Sequence, residues 1–145
     1  MQLLKNCEVV VVEAPAVAGT SDLVSDYVDC SNCDGVMFIA SFGTITSGAV
    51  TSIKARQNTA NSDSGAADLE GSSVTVPDTG SDKVAVLDIY KPRERYVACA
   101  IDRGTQNAVV NGITAIKYGP RKGPVTQGAT VSASEAHASP AEGTA

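Results

Sequence analysis

The sequence has no tryptophan, two phenylalanines and four tyrosines among its 145 residues. Proteins that grip single-stranded nucleic acid stack bases on aromatic rings, so this chain is poorly equipped for that role. Its core must come mainly from Val, Ala, Ile and Leu. Positive charge is scarce as well: 11 Lys and Arg face 16 Asp and Glu, a formal net charge of −5. Phosphate contacts need clustered Lys and Arg, which excludes nucleic acid as the main partner. No apolar run approaches the ~18 residues of a membrane-spanning helix, so no helical membrane span is expected. Met1–Asn6 has no basic start, and Cys7-Glu8 interrupts any apolar leader core. The sequence therefore predicts no secretory leader and synthesis in the cytoplasm. There the cysteines at 7, 30, 33 and 99 stay free thiols.

What is present describes one globular domain. The apolar fraction of 43% is that of a folded chain, not of a collagenous or disordered one. A chain of 14.8 kDa exposes roughly 7,000 Å² when folded against roughly 21,000 Å² unfolded. It needs neither metal nor disulfide to fold. The local pattern is strand. Eight segments carry it: Cys7 to Ala14, Val24 to Cys30, Gly35 to Ser41, Ala49 to Arg56, Ser72 to Val76, Lys83 to Tyr90, Arg95 to Asp102 and Ala108 to Tyr118. Ala49 to Arg56 alternates apolar and polar with period two, whereas Gly35 to Ser41 reads as a buried strand. Asn111-Gly112 marks a bulge in the last strand. Gln57 to Gly71 reads as a long surface loop with one helical turn at 66–69, and Pro77-Asp78-Thr79-Gly80 as a turn. Eight antiparallel strands at even spacing predict an all-β sandwich over residues 1–118. Residues 119–145 are rich in Pro, Gly, Ser and Ala and cannot build a core. They form an extended C-terminal arm, laid on a partner subunit or back on its own domain.

Several motifs invite chemistry. Cys30-Ser-Asn-Cys33 is a C-x-x-C, but a structural zinc site normally needs a second pair, and a redox motif normally opens a helix. Here Asp34-Gly35 and a strand follow, so the motif reads as two incidental thiols. Asp78-Thr79-Gly80 matches the triplet of aspartic proteases, yet that mechanism needs two buried carboxylates sharing a proton, and these flanks read as an exposed turn. Cys30 to Asp34 lacks the ligand pattern of a calcium loop, and Asp22, Asp26, Asp29 and Asp34 read as a solvated face. The sole histidine, His137, lies in the arm without rigid support, which disfavours a catalytic triad.

Five blocks occur in a recognisable order: DGVMFIASFG from Asp34, AVTSIKA from Ala49, DLEGSSVTV from Asp68, KPRERYV from Lys91 and AIKYGPRKGPV from Ala115. Together they resemble a family of small tailed-phage proteins. Some of its members are cement (decoration) proteins on the HK97-like capsids of short-tailed phages. The resemblance covers most of the chain. It implies a jelly roll, a homodimer on the outer capsid surface bridging major capsid proteins, and a virion protein made in the bacterial host cytoplasm. It implies no catalytic residues, no metal and no cofactor, and it carries over no residue role. A different phage β-sandwich, such as a head-fibre base or a tail or receptor-binding component, is the alternative. The basic residues Arg93, Arg95, Arg121 and Lys122, with Pro124 in an extended segment, are the candidate partner contacts. Arginine forks bind carboxylates bidentately, and a Pro-rich segment suits an arm lying along another surface.

Overall fold

The computed structural model describes residues 1–144. A single helical turn, α1 (Leu3–Asn6), precedes eleven strands. These are β1 (Cys7–Glu13), β2 (Ala16–Gly19), β3 (Leu23–Val24), β4 (Val28–Asp29), β5 (Gly35–Ile45), β6 (Val50–Asn58), β7 (Ala67–Asp68), β8 (Val74–Val76), β9 (Val84–Tyr90), β10 (Tyr96–Gly104) and β11 (Ala108–Tyr118). One sheet has the order β1-β11-β5-β9, with β2 continuing beside β11. The other has the order β3-β10-β6-β7, with β4 beside β10 and β8 beside β6. All pairings are antiparallel.

The eleven strands fill eight positions, because β1/β2, β3/β4 and β7/β8 each share one, pairing with β11, β10 and β6 respectively. With these merged, the first strand pairs with the last, the second with the seventh, the third with the sixth and the fourth with the fifth. This nested pairing is a jelly roll. The breaks have local causes. Pro15 lacks an N–H and separates β1 from β2. Between β3 and β4 the backbone leaves its sheet, and the Asp26 N–H donates to the Val12 carbonyl at 2.8 Å.

The core lies between the sheets. Val36, Phe38, Ala40 and Phe42 of β5, with Val110, Ile113 and Ala115 of β11, face Ile53 and Ala55 of β6 and Val97, Cys99 and Ile101 of β10. Each is at most 1% exposed. Fully burying one such large aliphatic or aromatic side chain contributes about 1.5–3 kcal/mol. Small alanines at alternate inner positions let the sheets approach without tryptophan.

The predicted bulge is present. Val110 pairs with Phe42 and Gly112 with Ser41, so the register slips between them. Gly112 has φ +124°, and a Cβ there would stand 3.0 Å from the Glu13 carbonyl. Two local expectations were wrong. Residues 66–69 are not helical: Ala67–Asp68 pair with β6, and the Leu69 N–H donates to the Ala55 carbonyl at 2.9 Å. Strand β2, beyond Pro15, was not anticipated.

As far as Thr130 the arm lies on its own domain. Gly119, at φ +62°, turns the chain off β11. The Arg121 N–H then donates to the Asn32 carbonyl and the Val125 N–H to the Lys5 carbonyl. Farther on, the arm covers the free edge of β1. Gln127 Oε1 accepts the Val9 N–H at 2.9 Å, while its Nε2 donates to the Leu4 and Cys7 carbonyls. Thr130 Oγ1 accepts the Val11 N–H at 3.1 Å. An open edge strand invites pairing with another chain, and side chains of the arm occupy its hydrogen-bonding groups instead. Residues 132–144 are exposed. The accessible surface is 8419 Å², above the roughly 7,000 Å² expected for this mass, and the exposed end of the arm adds to it.

Candidate interaction surface

The two outer faces of the sandwich differ in kind. The outer face of the β3-β10-β6-β7 sheet is charged and internally paired. Lys54 Nζ lies 3.0 Å from Asp68 and 3.2 Å from Asp102, and Arg56 lies 2.6 Å from Asp63 and 3.0 Å from Asp68. The Tyr27 hydroxyl donates to Asp63 at 2.8 Å. Burial, and then that hydrogen bond, push its pKa up to about 12. Ala98 and Ala100 sit opposite Arg56 and Lys54 in register and are nearly fully buried. Such a net contributes little stability per pair, about 0–1 kcal/mol, but it leaves this face little apolar surface to cover, Val50 at its end being the exposed exception.

The outer face of the other sheet is apolar and uncovered. Three cross-strand rows run over it: Cys7–Tyr118–Gly35–Tyr90, Val9–Ile116–Met37–Asp88 and Val11–Thr114–Ile39–Val86. Val84 extends it along β9 and Leu3 along α1. Exposure is 46% for Val11, 57% for Val84, 48% for Val86 and 61% for Tyr90. The charge in these rows, Asp88, accepts the Tyr118 hydroxyl proton at 2.7 Å. A groove of about 470 Å³ opens between α1 and the strands, floored by Val9, Met37 and Ile116, with Glu135 of the arm at its rim. Four strands about 4.8 Å apart and seven residues rising about 3.4 Å each give a footprint of roughly 450 Å². That matches the largest patches on monomers, roughly 300–600 Å², which are often functional.

The basic residues singled out in the sequence lie near one end of the sandwich, but they are not equivalent. Arg95 is committed internally. Its Nε and Nη2 donate to the two oxygens of Asp29 at 3.1 and 2.7 Å, and its guanidinium lies 5.1 Å from the Tyr96 ring centre. Arg93 is exposed beside a cleft shared with Asp68 and Glu70. Arg121 shares a cleft of about 270 Å³ with Lys91, Cys30 and Cys33. Lys122 and Pro124 line a second cleft with Lys117, Glu8 and Cys33. The fold thus gathers Lys91, Arg121 and Lys122 around the Cys30–Asp34 turn, while Arg95, still half-exposed, is forked to Asp29.

The Asp29–Arg95 fork makes a pH prediction. The Arg95 hydrogen bonds hold the Asp29 carboxyl well below its usual range, with the Ser31 N–H adding to this and partial burial opposing it. As pH falls, the unfolded chain takes up this proton first. The fork's stabilisation is therefore present above about pH 4 and fades below it, toward the folded-state pKa. Asp29→Asn should lower the urea midpoint relative to wild type at about pH 6, with a smaller gap at about pH 2.5. An equal gap at both pH values would contradict this.

The other motifs have structural positions. Asp78-Thr79-Gly80 forms a short 3-10 turn, and the Asp78 carboxylate accepts the Gly48 N–H at 3.0 Å. His137 pairs with Glu135 at 3.3 Å in the exposed arm. Among the described residues, no group of three or more His, Cys, Asp and Glu is arranged to hold a metal ion. Sequence reading passed over two features. One is the apolar outer face, signalled by unbroken apolar runs in β1, β5 and β9, which in an antiparallel sheet imply burial on both sides. The other is Arg103, just past the expected strand Arg95 to Asp102 and found 6% exposed. No protein-family model matches the chain, and no curated protein matches it significantly.

Proposed function

We propose that the protein is a structural virion component, a cement that binds the outside of an icosahedral phage head as a homodimer and bridges major capsid proteins. The observation that carries the reading is the sidedness of the sandwich. One outer face is saturated by its own ion pairs, and the opposite face offers a broad apolar sheet surface to a partner. In this reading the apolar face packs against a second copy. A two-fold dimer uses the same patch twice, and side-chain relief takes the contact area above the flat footprint, toward the about 800 Å² per partner of a standard interface. The exposed cations Lys91, Arg93, Arg121 and Lys122 then lie on both protomers, where they meet acidic surface on neighbouring capsid subunits. The five sequence blocks that resemble phage cement proteins support the same reading.

A capsid filled with DNA fails at its seams. A dimer that straddles a seam adds binding free energy that must be lost before the seam opens. Heads stripped of the protein should therefore release DNA at a lower temperature than native heads, and adding it back should restore the native release temperature. Stripped and native heads that release DNA at the same temperature would remove the stabilising role.

A further inference from the structure

Cys30 and Cys33 enclose a tight turn between β4 and β5. The Cys33 N–H donates to the Cys30 carbonyl at 3.4 Å. A turn closed in this way holds its end Cα atoms within about 7 Å, which overlaps the roughly 4.4–6.8 Å that a disulfide spans. Both thiols are free and nearly buried; that of Cys30 donates to the Val28 carbonyl and that of Cys33 to the Cys30 carbonyl, each at 3.7 Å. Cys33 walls both clefts at this end of the sandwich and Cys30 walls one, so the pair borders solvent although the two residues are only 5% and 6% exposed.

The two sulfurs have opposite tendencies. The adjacent Cys30 thiol, aided by nearby Lys117, lowers the pKa of Cys33 against the opposing effect of burial. The same neighbour effect, followed by burial, raises that of Cys30. Cys99, buried between the sheets, is pushed up to about 12 by desolvation alone. The turn thus holds one thiolate-forming sulfur beside a protonated neighbour, the arrangement of an attacking and a resolving thiol.

The geometry points to Cys30 and Cys33 as a redox-active dithiol that closes to an intramolecular disulfide by exchange with a small disulfide such as oxidised glutathione. The Cys33 thiolate attacks one glutathione sulfur, forming a mixed disulfide and expelling one glutathione thiolate. Cys30 then loses its proton to solvent, attacks the Cys33 sulfur and expels the second glutathione. Two protein thiols are oxidised and one glutathione disulfide is reduced to two thiols. The bridge would brace the root of the arm, because the Asn32 carbonyl accepts the Arg121 N–H and the Asp34 N–H is shared between the Tyr118 and Gly119 carbonyls. In a virion protein the pair stays reduced in the host cytoplasm and closes after release. That consequence rests on the proposed function, whereas the chemistry does not.

The test incubates the full-length protein with oxidised glutathione, then alkylates it in denaturant and reads intact mass and peptide maps. The expected result is loss of two of the four alkylatable thiols, with the bridge mapping to Cys30–Cys33 and Cys7 and Cys99 still alkylated. Cys30→Ser should accumulate glutathione on Cys33. Cys33→Ser should keep its three remaining thiols over the period in which the wild type converts fully. Four alkylated thiols in the wild type, a bridge or adduct at Cys7 or Cys99, or Cys33→Ser reacting as fast as wild type would overturn the inference. The assay contains no capsid, so its failure is distinct from failure of the cement reading.

Discussion

Arg103→Met is expected to destabilise the fold by about 2–3 kcal/mol. Arg103 lies inside one end of the sandwich. Its Nε donates to the Ser21 carbonyl at 2.7 Å, and its Nη1 donates to the Val17 and Ala108 carbonyls, each at 2.9 Å. These carbonyls belong to the β2 segment, the loop before β3 and the start of β11, which the guanidinium fastens together. Met has similar length and no donor, so three carbonyls lose this partner; that of Ala108 is buried, whereas those of Val17 and Ser21 belong to exposed residues that water can reach. An acceptor buried without a partner costs about 1–3 kcal/mol, and the apolar contact of Met recovers part of the sum. The Arg103 N–H bond to Asp22, at 3.0 Å, survives in the variant. Urea unfolding gives the comparison, with Arg103→Lys as an intermediate case that keeps a charge but not the fork. A loss below about 1 kcal/mol would show that water or a shifted loop replaces the guanidinium.

The second large effect concerns assembly. Val86→Lys should weaken self-association at least about 30-fold while leaving protomer stability nearly unchanged. Val86 stands in the row with Ile39, Thr114 and Val11 and is 48% exposed in the free protomer. Lysine at an exposed strand position costs the protomer little, but at the centre of a two-fold contact it buries two like charges near each other. Val50→Lys is the control: Val50 is 65% exposed but belongs to β6 in the opposite sheet. Sedimentation equilibrium over a concentration series should show dimer for wild type and Val50→Lys, and monomer for Val86→Lys. A wild type that stays monomeric, or a Val86→Lys dimer as tight as wild type, would rule out this face as the contact.

Most of the strand positions were legible because their signals are local. β-branched runs end at Pro15 and Pro92, and Asn111-Gly112 announces its bulge through a conformation that glycine adopts readily. The 66–69 segment was misread because its extended form comes from pairing with β6, and its own residues do not encode that pairing. β2 was missed for the same reason, since only β11 makes Ala16–Gly19 a strand. Charged residues were read from their neighbours, and that failed wherever the partner was distant in sequence. Arg95 meets Asp29, and Arg103 meets carbonyls on both sides of β3 and on β11. The arm was recognised by composition, but its course depends on Gln127 and Thr130 meeting the free N–H groups of β1, which no local pattern reveals. The apolar face could have been read. β6 alternates cleanly while β1, β5 and β9 do not, although β10 of the saturated sheet also carries an unbroken apolar run, so the contrast rests on β6 against the other three.

The cement reading is tested most directly by co-sedimenting the purified protein with empty, mature heads of its phage and counting bound copies by quantitative mass spectrometry. The account predicts saturable binding at a simple ratio to the major capsid protein, with two protomers per site. A handful of copies per particle, or none, would contradict it and point to a fibre or tail component instead.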